Sequence, residues 1–263
     1  MERSSTRIEV LLLFLLAFVV SCDGKGANRG NDRPEVTLGV AASLRHAMPE
    51  LVAAFGKHHP RPKFQIVYGS SGSLRNRVQL GAPIDAVLFA GDAHVDALIE
   101  SGDVLPDSRA VVGSNGLVLI GPEGGRRYTF RTLDELPDGE RLAVGDPGAV
   151  PAGRYARDAL RKLGVWKALA PDHLVYGGDV GAVFSYVRRG EVAAAIVYPT
   201  ETRGIDDIEI FEEAVGDWVP EPAVVVGVVN GAKQVQQAQK FLEFVAARRG
   251  QLILAKHGFR PPR

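Results

Sequence analysis

From Val36 onward, short apolar runs of strand type alternate with stretches whose apolar residues recur at helical spacing, and most runs end at a Gly, Ser or Pro corner. The runs are Val36 to Val40, Phe64 to Tyr68, Ala86 to Ala90, Gly116 to Ile120, Leu142 to Val144, Leu174 to Tyr176, Glu191 to Tyr198, Ile208 to Phe211 and Ala223 to Val229. Strands that alternate with helices need crossover connections, so the pattern predicts an α/β fold with a mostly parallel, doubly wound sheet flanked by helices. In such folds ligands collect at the carboxyl ends of the strands. The corners that follow strands are therefore the places to look for chemistry.

The most specific corner lies in Arg141 to Gly164, RLAVGDPGAVPAGRYARDALRKLG. Pro151 suits the first position of a helix, where a missing N–H costs nothing. The N–H groups of Ala152, Gly153 and Arg154 would then point out of a helix end that carries partial positive charge, an arrangement that seats anions. Taken alone, the same corner also serves as scaffold with its N–H groups facing water. Ser43 opens AASLRHAMPELVAAF, in which Leu44, Met48, Leu51, Val52 and Phe55 form one helical face. At the cap or first turn it presents a hydroxyl and an N–H together, or simply caps the helix. Gly69 to Ser73, GSSGS, forms either a nest of backbone donors around Ser71 or a flexible turn. It matches neither a Walker loop nor a G-x-S-x-G elbow. In Gly177-Gly178-Asp179-Val180 the N–H of Val180 is free at a helix start, and Tyr198 ends a strand with a phenol that can donate.

The N-terminus carries Arg3 and Arg7 before the apolar run Val10 to Val20, the form of a targeting signal. That run is shorter than the roughly 20 residues a membrane span needs. Cys22, the single cysteine, follows directly, so no intrachain disulfide can form. Val19-Val20-Ser21-Cys22 resembles the lipobox of bacterial lipoproteins, which implies lipid on Cys22 and anchoring by more than one acyl chain. Asp23 resembles the signal that retains lipoproteins on the inner membrane. Residues 23–33, DGKGANRGNDR, are polar and Gly-rich and read as a flexible tether.

Lys+Arg 31 against Asp+Glu 31 leaves no net basic field to attract nucleic acid. Arg61, Lys63, Arg126 and Arg127 are scattered, without the interleaved aromatics that stack bases. The six histidines, His58 and His59 included, lack the spacing and cysteine company of a zinc site.

Together, AASL (Ala41 to Leu44), SSGSL (Ser70 to Leu74), GAP (Gly81 to Pro83), GLVLI, VGDP-x-x-VPAG, GGDVGAVFSYVRRGEVAAAIVY and the terminal GQLILAKHGFRPP resemble the periplasmic molybdate-binding proteins of ABC transporters. The resemblance covers nearly all of Pro34 to Pro262. It implies a two-lobed type II periplasmic binding protein: a signal peptide 1–22, the tether 23–33, a first lobe from 34–112 and 222–263, and a second lobe from 113–221. It further implies that the hydroxyl and N–H of Ser43 and Ser71, the N–H of Ala152 and Val180 and the hydroxyl of Tyr198 hold molybdate or tungstate in the cleft. No cofactor is implied, and molybdenum enters only as the oxyanion, with no direct protein ligand. The implied protein is a monomer and no enzyme, lipid-anchored on the periplasmic side of the inner membrane, or on the outer face of a single membrane, and hands its anion to a permease. A binding protein for another ligand, such as sulfate, chelated iron or a small organic anion, and a secreted hydrolase using Ser71 remain the alternatives.

Overall fold

A computed structural model describes residues 33–262; the signal segment, Cys22 and the tether up to residue 32 lie outside the described residues. Among the described residues no helix is long and apolar enough to cross a membrane. The chain builds two five-stranded sheets. The first contains β1 (Glu35–Ala41), β2 (Lys63–Gly69), β3 (Ala86–Ala90), β4 (Ala110–Ser114) and, from the end of the chain, β10 (Ala223–Val228). The second contains β5 (Val118–Pro122), β6 (Leu142–Gly145), β7 (Leu174–Gly177), β8 (Ala194–Val197) and β9 (Ile208–Glu213). Their strand orders are β2-β1-β3-β10-β4 and β7-β6-β8-β5-β9, the same arrangement used twice. In each sheet one strand, β10 or β5, is antiparallel to both its neighbours, and the other four share a direction. The expected mostly parallel α/β architecture therefore holds, with one reversed strand in each sheet.

Both reversed strands are the ones the chain reaches immediately after crossing between sheets, β5 after β4 and β10 after β9. The two crossings run side by side. Asn115 N–H donates to the Pro222 carbonyl at 2.8 Å, and Ser114 and Arg260 exchange N–H···O bonds of 2.9 Å. The Asn115 side-chain amide also donates to Thr200 Oγ1 at 3.1 Å, tying this hinge to the turn after β8.

Helices α1 (Met48–Gly56), α2 (Ser71–Gln79), α3 (Ala93–Glu100), α6 (Val235–Ala246) and α7 (Arg248–Lys256) belong to the first lobe, α4 (Pro151–Lys162) and α5 (Val180–Arg188) to the second. Of the helical face expected from the sequence, Met48, Leu51 and Phe55 are fully enclosed on α1 and Val52 is half-buried, while Leu44 is enclosed in a separate 3-10 turn before the helix. Phe55 meets Phe64 and Phe241 edge-on, with ring centroids 5.7 and 5.3 Å apart, so one ring joins α1, β2 and α6.

Three local expectations differ. β4 is absent from the sequence reading because its apolar core is only Val111-Val112, with Val111 exposed, too short to display a period. The run Glu191 to Tyr198 pairs only over β8, since Ala193 N–H turns to the Arg141 carbonyl instead. The helix expected at Thr132 to Leu136 is a single 3-10 turn, Leu133–Glu135.

The second lobe is fixed by a contact between two backbones. A methyl built on Gly153, in the first turn of α4, would lie 1.9 Å from the carbonyl oxygen of Gly145 at the end of β6. One on Gly145 would lie 2.6 Å from Val150 Cγ1. Helix and strand touch with no side chain between them, which is why VGDPGAVPAG carries a glycine at each end. Gly153→Ala is expected to destabilise the protein by about 3 kcal/mol or more, although Ala is the better helix former. Its melting temperature should fall by roughly 6 °C or more; an unchanged melting curve would contradict the contact.

Candidate functional site

Five strand ends converge on the space between the lobes. β1 runs into a 3-10 turn, Ala42–Leu44, that contains Ser43; β2 runs into α2, which begins at Ser71. From the second lobe, β6 leads to α4, β7 to α5, and β8 to Tyr198. Ser43, Ser70, Ser71, Ala90, Pro151, Ala152, Asp179, Val180 and Tyr198 line one narrow cleft. All five residues singled out in the sequence are thus brought together, each at the carboxyl end of a strand, where this architecture gathers ligands.

The cleft wall is rich in donors because its caps are filled from behind. Ser70 Oγ accepts the Ser73 N–H at 3.2 Å, and Asp179 Oδ1 accepts the Ala182 N–H at 2.9 Å. Those bonds serve the third residue of each helix and leave the N–H groups of Ser71 and Val180, which helix geometry cannot satisfy internally. Ala152 stands at the second position of α4 and has the same freedom, while Gly153 and Arg154 N–H both donate to the Val150 carbonyl. Of the three N–H groups first read as pointing out of that corner, one remains. Two hydroxyls complete the set: Ser43 Oγ and Tyr198 Oη are buried from water and have no partner. Buried hydroxyls left unpaired are uncommon and costly in a folded protein. Burial pushes the Tyr198 phenol well above its ordinary range, and Arg154 opposes this only in part. The phenol is therefore neutral and keeps its proton to donate.

Ser71 differs from the expectation in one atom. Its hydroxyl donates to the Ala90 carbonyl and accepts the Ala90 N–H, both at 3.1 Å. The side chain splices α2 onto the end of β3 and leaves only the backbone N–H facing the cleft. A hydroxyl held in this way has no histidine to activate it, which removes the basis for a serine hydrolase.

Three features escaped the sequence reading. Gly72 N–H donates across the cleft to the Ala149 carbonyl at 3.1 Å, and a methyl on Gly72 would lie 2.5 Å from that oxygen. Arg154 approaches Asp92 of the other lobe at 3.8 Å and lies over the Tyr155 ring at 5.0 Å. Glu201, in the 3-10 turn that Tyr198 caps, is a buried carboxyl with Oε1 unpartnered. Its only sequence signal was position, three residues past the strand-end tyrosine.

A cleft between two lobes, lined by free helix-start N–H groups and unpartnered hydroxyls, has the form of a solute-binding site. The model of the bacterial extracellular solute-binding protein family matches residues 36–260, and the chain belongs to that family. It is 32% identical over 260 residues to a putative ABC transporter substrate-binding lipoprotein of Bacillus subtilis (strain 168), covering 98% of each chain. It is 30% identical over 237 residues to the molybdate-binding protein of Escherichia coli (strain K12), covering 87% of this chain and 90% of that one. Among solved structures, the substrate-binding domain of a putative molybdenum ABC transporter from Clostridium difficile superposes with a TM-score of 0.67 at 30% identity, covering 87% of this chain and 99% of that one.

Two outcomes follow from this geometry. Gly72→Ala should hold apart lobes that the native chain brings together, giving a larger radius of gyration in solution scattering under ligand-saturated conditions; equal radii would contradict the close approach. Glu201 has its folded carboxyl raised to about 7 from 4.5, chiefly by burial. The stability it contributes is thus present below 4.5 and lost as pH rises through 7. Glu201→Gln should accordingly melt at a higher temperature than wild type at pH 8 and at the same temperature at pH 4.

Proposed function

We propose that the protein captures a fully deprotonated tetrahedral oxyanion, molybdate or tungstate, outside the cytoplasm and delivers it to an ABC permease. The observation that carries this reading is the pair of enclosed, unpartnered hydroxyls, Ser43 Oγ and Tyr198 Oη, facing one cleft from opposite lobes. A dianion has only acceptors, and the two unpartnered hydroxyls and the free helix-start N–H groups at this cleft are donors. The N–H groups of Ser43, Ser71, Ala152 and Val180 add to the two hydroxyls, and the helix starts of α2, α4 and α5 supply partial positive charge without a Lys or Arg at the ion. Stripping water from a dianion is offset only when nearly every oxygen regains a hydrogen bond. Asp179 also lines the cleft, with its Oδ1 accepting the Ala182 N–H, so a protonated anion such as hydrogen phosphate is the competitor that the ligand panel must separate.

Donors from both lobes make the anion a bridge, so ligand stabilises the closed form by its differential affinity for it. The lobe bounds 34–112 with 222–263 against 113–221, and the lipid anchor at Cys22, belong to the same proposal. The resemblance to a substrate-binding lipoprotein and to a molybdate-binding protein supports both.

A thermal-shift panel of molybdate, tungstate, sulfate and phosphate tests the ligand class. Molybdate or tungstate should give the largest rise in melting temperature, and a larger shift with sulfate would replace the reading. Tyr198→Phe should weaken binding by about 1 to 3 kcal/mol, the usual cost of an unmet buried hydrogen bond; native affinity in titration calorimetry would remove the phenol from the site.

A further inference from the structure

We propose that Glu201 is the proton-linked group of the anion site: the loaded, closed form keeps its carboxyl protonated, so capture of a dianion draws a proton from solution. The inference rests on the oxyanion reading above and deepens it. Glu201 is 6% exposed, its Oε1 is sealed from water, and among the described residues no hydrogen bond or ion pair reaches that atom. Its N–H donates to the Tyr198 carbonyl at 3.0 Å, which fixes its backbone in the turn that begins at the site's phenol.

The charged groups around it do not form a matched pair. Arg45 reaches toward it from the other lobe, directly after the turn that carries Ser43, but its guanidinium is exposed and lies over the Tyr68 ring at 5.6 Å. Arg45 also flanks the start of α5, where a methyl on Gly181 would come 3.2 Å from its Nη1. Asp179, at the cap of α5, opposes ionisation of Glu201, as burial does. Within its own segment, Tyr198 feels the Glu201 charge, and Arg203 is turned away to the Lys256 carbonyl. Enclosed and unmatched, the group is tolerated as a neutral acid and resisted as an anion.

In the absence of ligand, burial places its titration at about 7. A dianion seated against the Tyr198 hydroxyl adds like charge nearby and moves that titration higher. Just above neutrality, loading therefore draws Glu201 back toward its protonated form. The apparent affinity should fall with rising pH, with tenfold per unit as the limit while the free form is ionised and the loaded form stays protonated. A structural carboxyl that merely braced the turn would leave no such slope.

The experiment is calorimetric titration of molybdate into the protein at pH 8 in two buffers of different ionisation heat. Net proton uptake on binding is expected, with Kd rising severalfold between about pH 7.5 and 8.5. Glu201→Gln should bind with no proton uptake and a flat pH profile. Binding by wild type without proton uptake overturns the proposal, as does the same uptake in Glu201→Gln. If that variant does not fold, the wild-type proton count alone decides. If molybdate gives no heat at any pH, the ligand assignment fails instead, and the count is taken with whichever anion of the panel raises the melting temperature.

Discussion

The contact between Gly145 and Gly153 is the constraint from which the site grows. With no side chain on either residue, α4 begins directly over the end of β6, and its helix axis points its free N–H into the interlobe space. Asp146 secures the loop between them: its carbonyl accepts from Val150 at 2.7 Å, and its own N–H donates to Gly177 of the neighbouring strand at 3.0 Å. Gly177 in turn leads to the Asp179 cap and Val180. One backbone contact thus positions two donor groups that lie 28 residues apart, as their numbers 152 and 180 show.

The chemistry of the cleft is one of withheld satisfaction. Asp85, buried away from the cleft, shows the opposite treatment: it accepts the N–H of Thr37 at 2.8 Å and that of Gln234 at 3.0 Å. At the cleft the same chain caps the third residue of a helix and leaves the first, and it leaves two hydroxyls bare. That contrast between a fully satisfied carboxylate and these open groups is what the proposed oxyanion reading rests on.

Much of this was legible in the residues. Strand ends and helix starts are written in local grammar, with Pro151 at a first helical position and glycines at corners, so the donor positions could be found one at a time. The cleft residues that escaped depend on approach between distant segments. Gly72 reads as one glycine among several until Ala149 is placed against it, and Ser71's hydroxyl reads as free until β3 arrives beside it. Glu201 carries no motif, and its character comes wholly from burial that the fold imposes. β4 was missed for the complementary reason: an edge strand of five residues gains its order from its partner β10 and not from its own pattern.

The position of β10 has a bearing on how the molecule comes to exist. It lies between β3 and β4, so those two strands, close in sequence, have no bond to each other until residues near the end of the chain are inserted between them. The strands of the second sheet all fall between residues 118 and 213 and can pair among themselves. A chain that emerges from its N-terminus can therefore finish its later half first, and the earlier half waits, incomplete, for the final segment. Closing so long a loop is slow relative to local pairing. The cleft is lined by residues from both halves, so it is among the last features the chain completes.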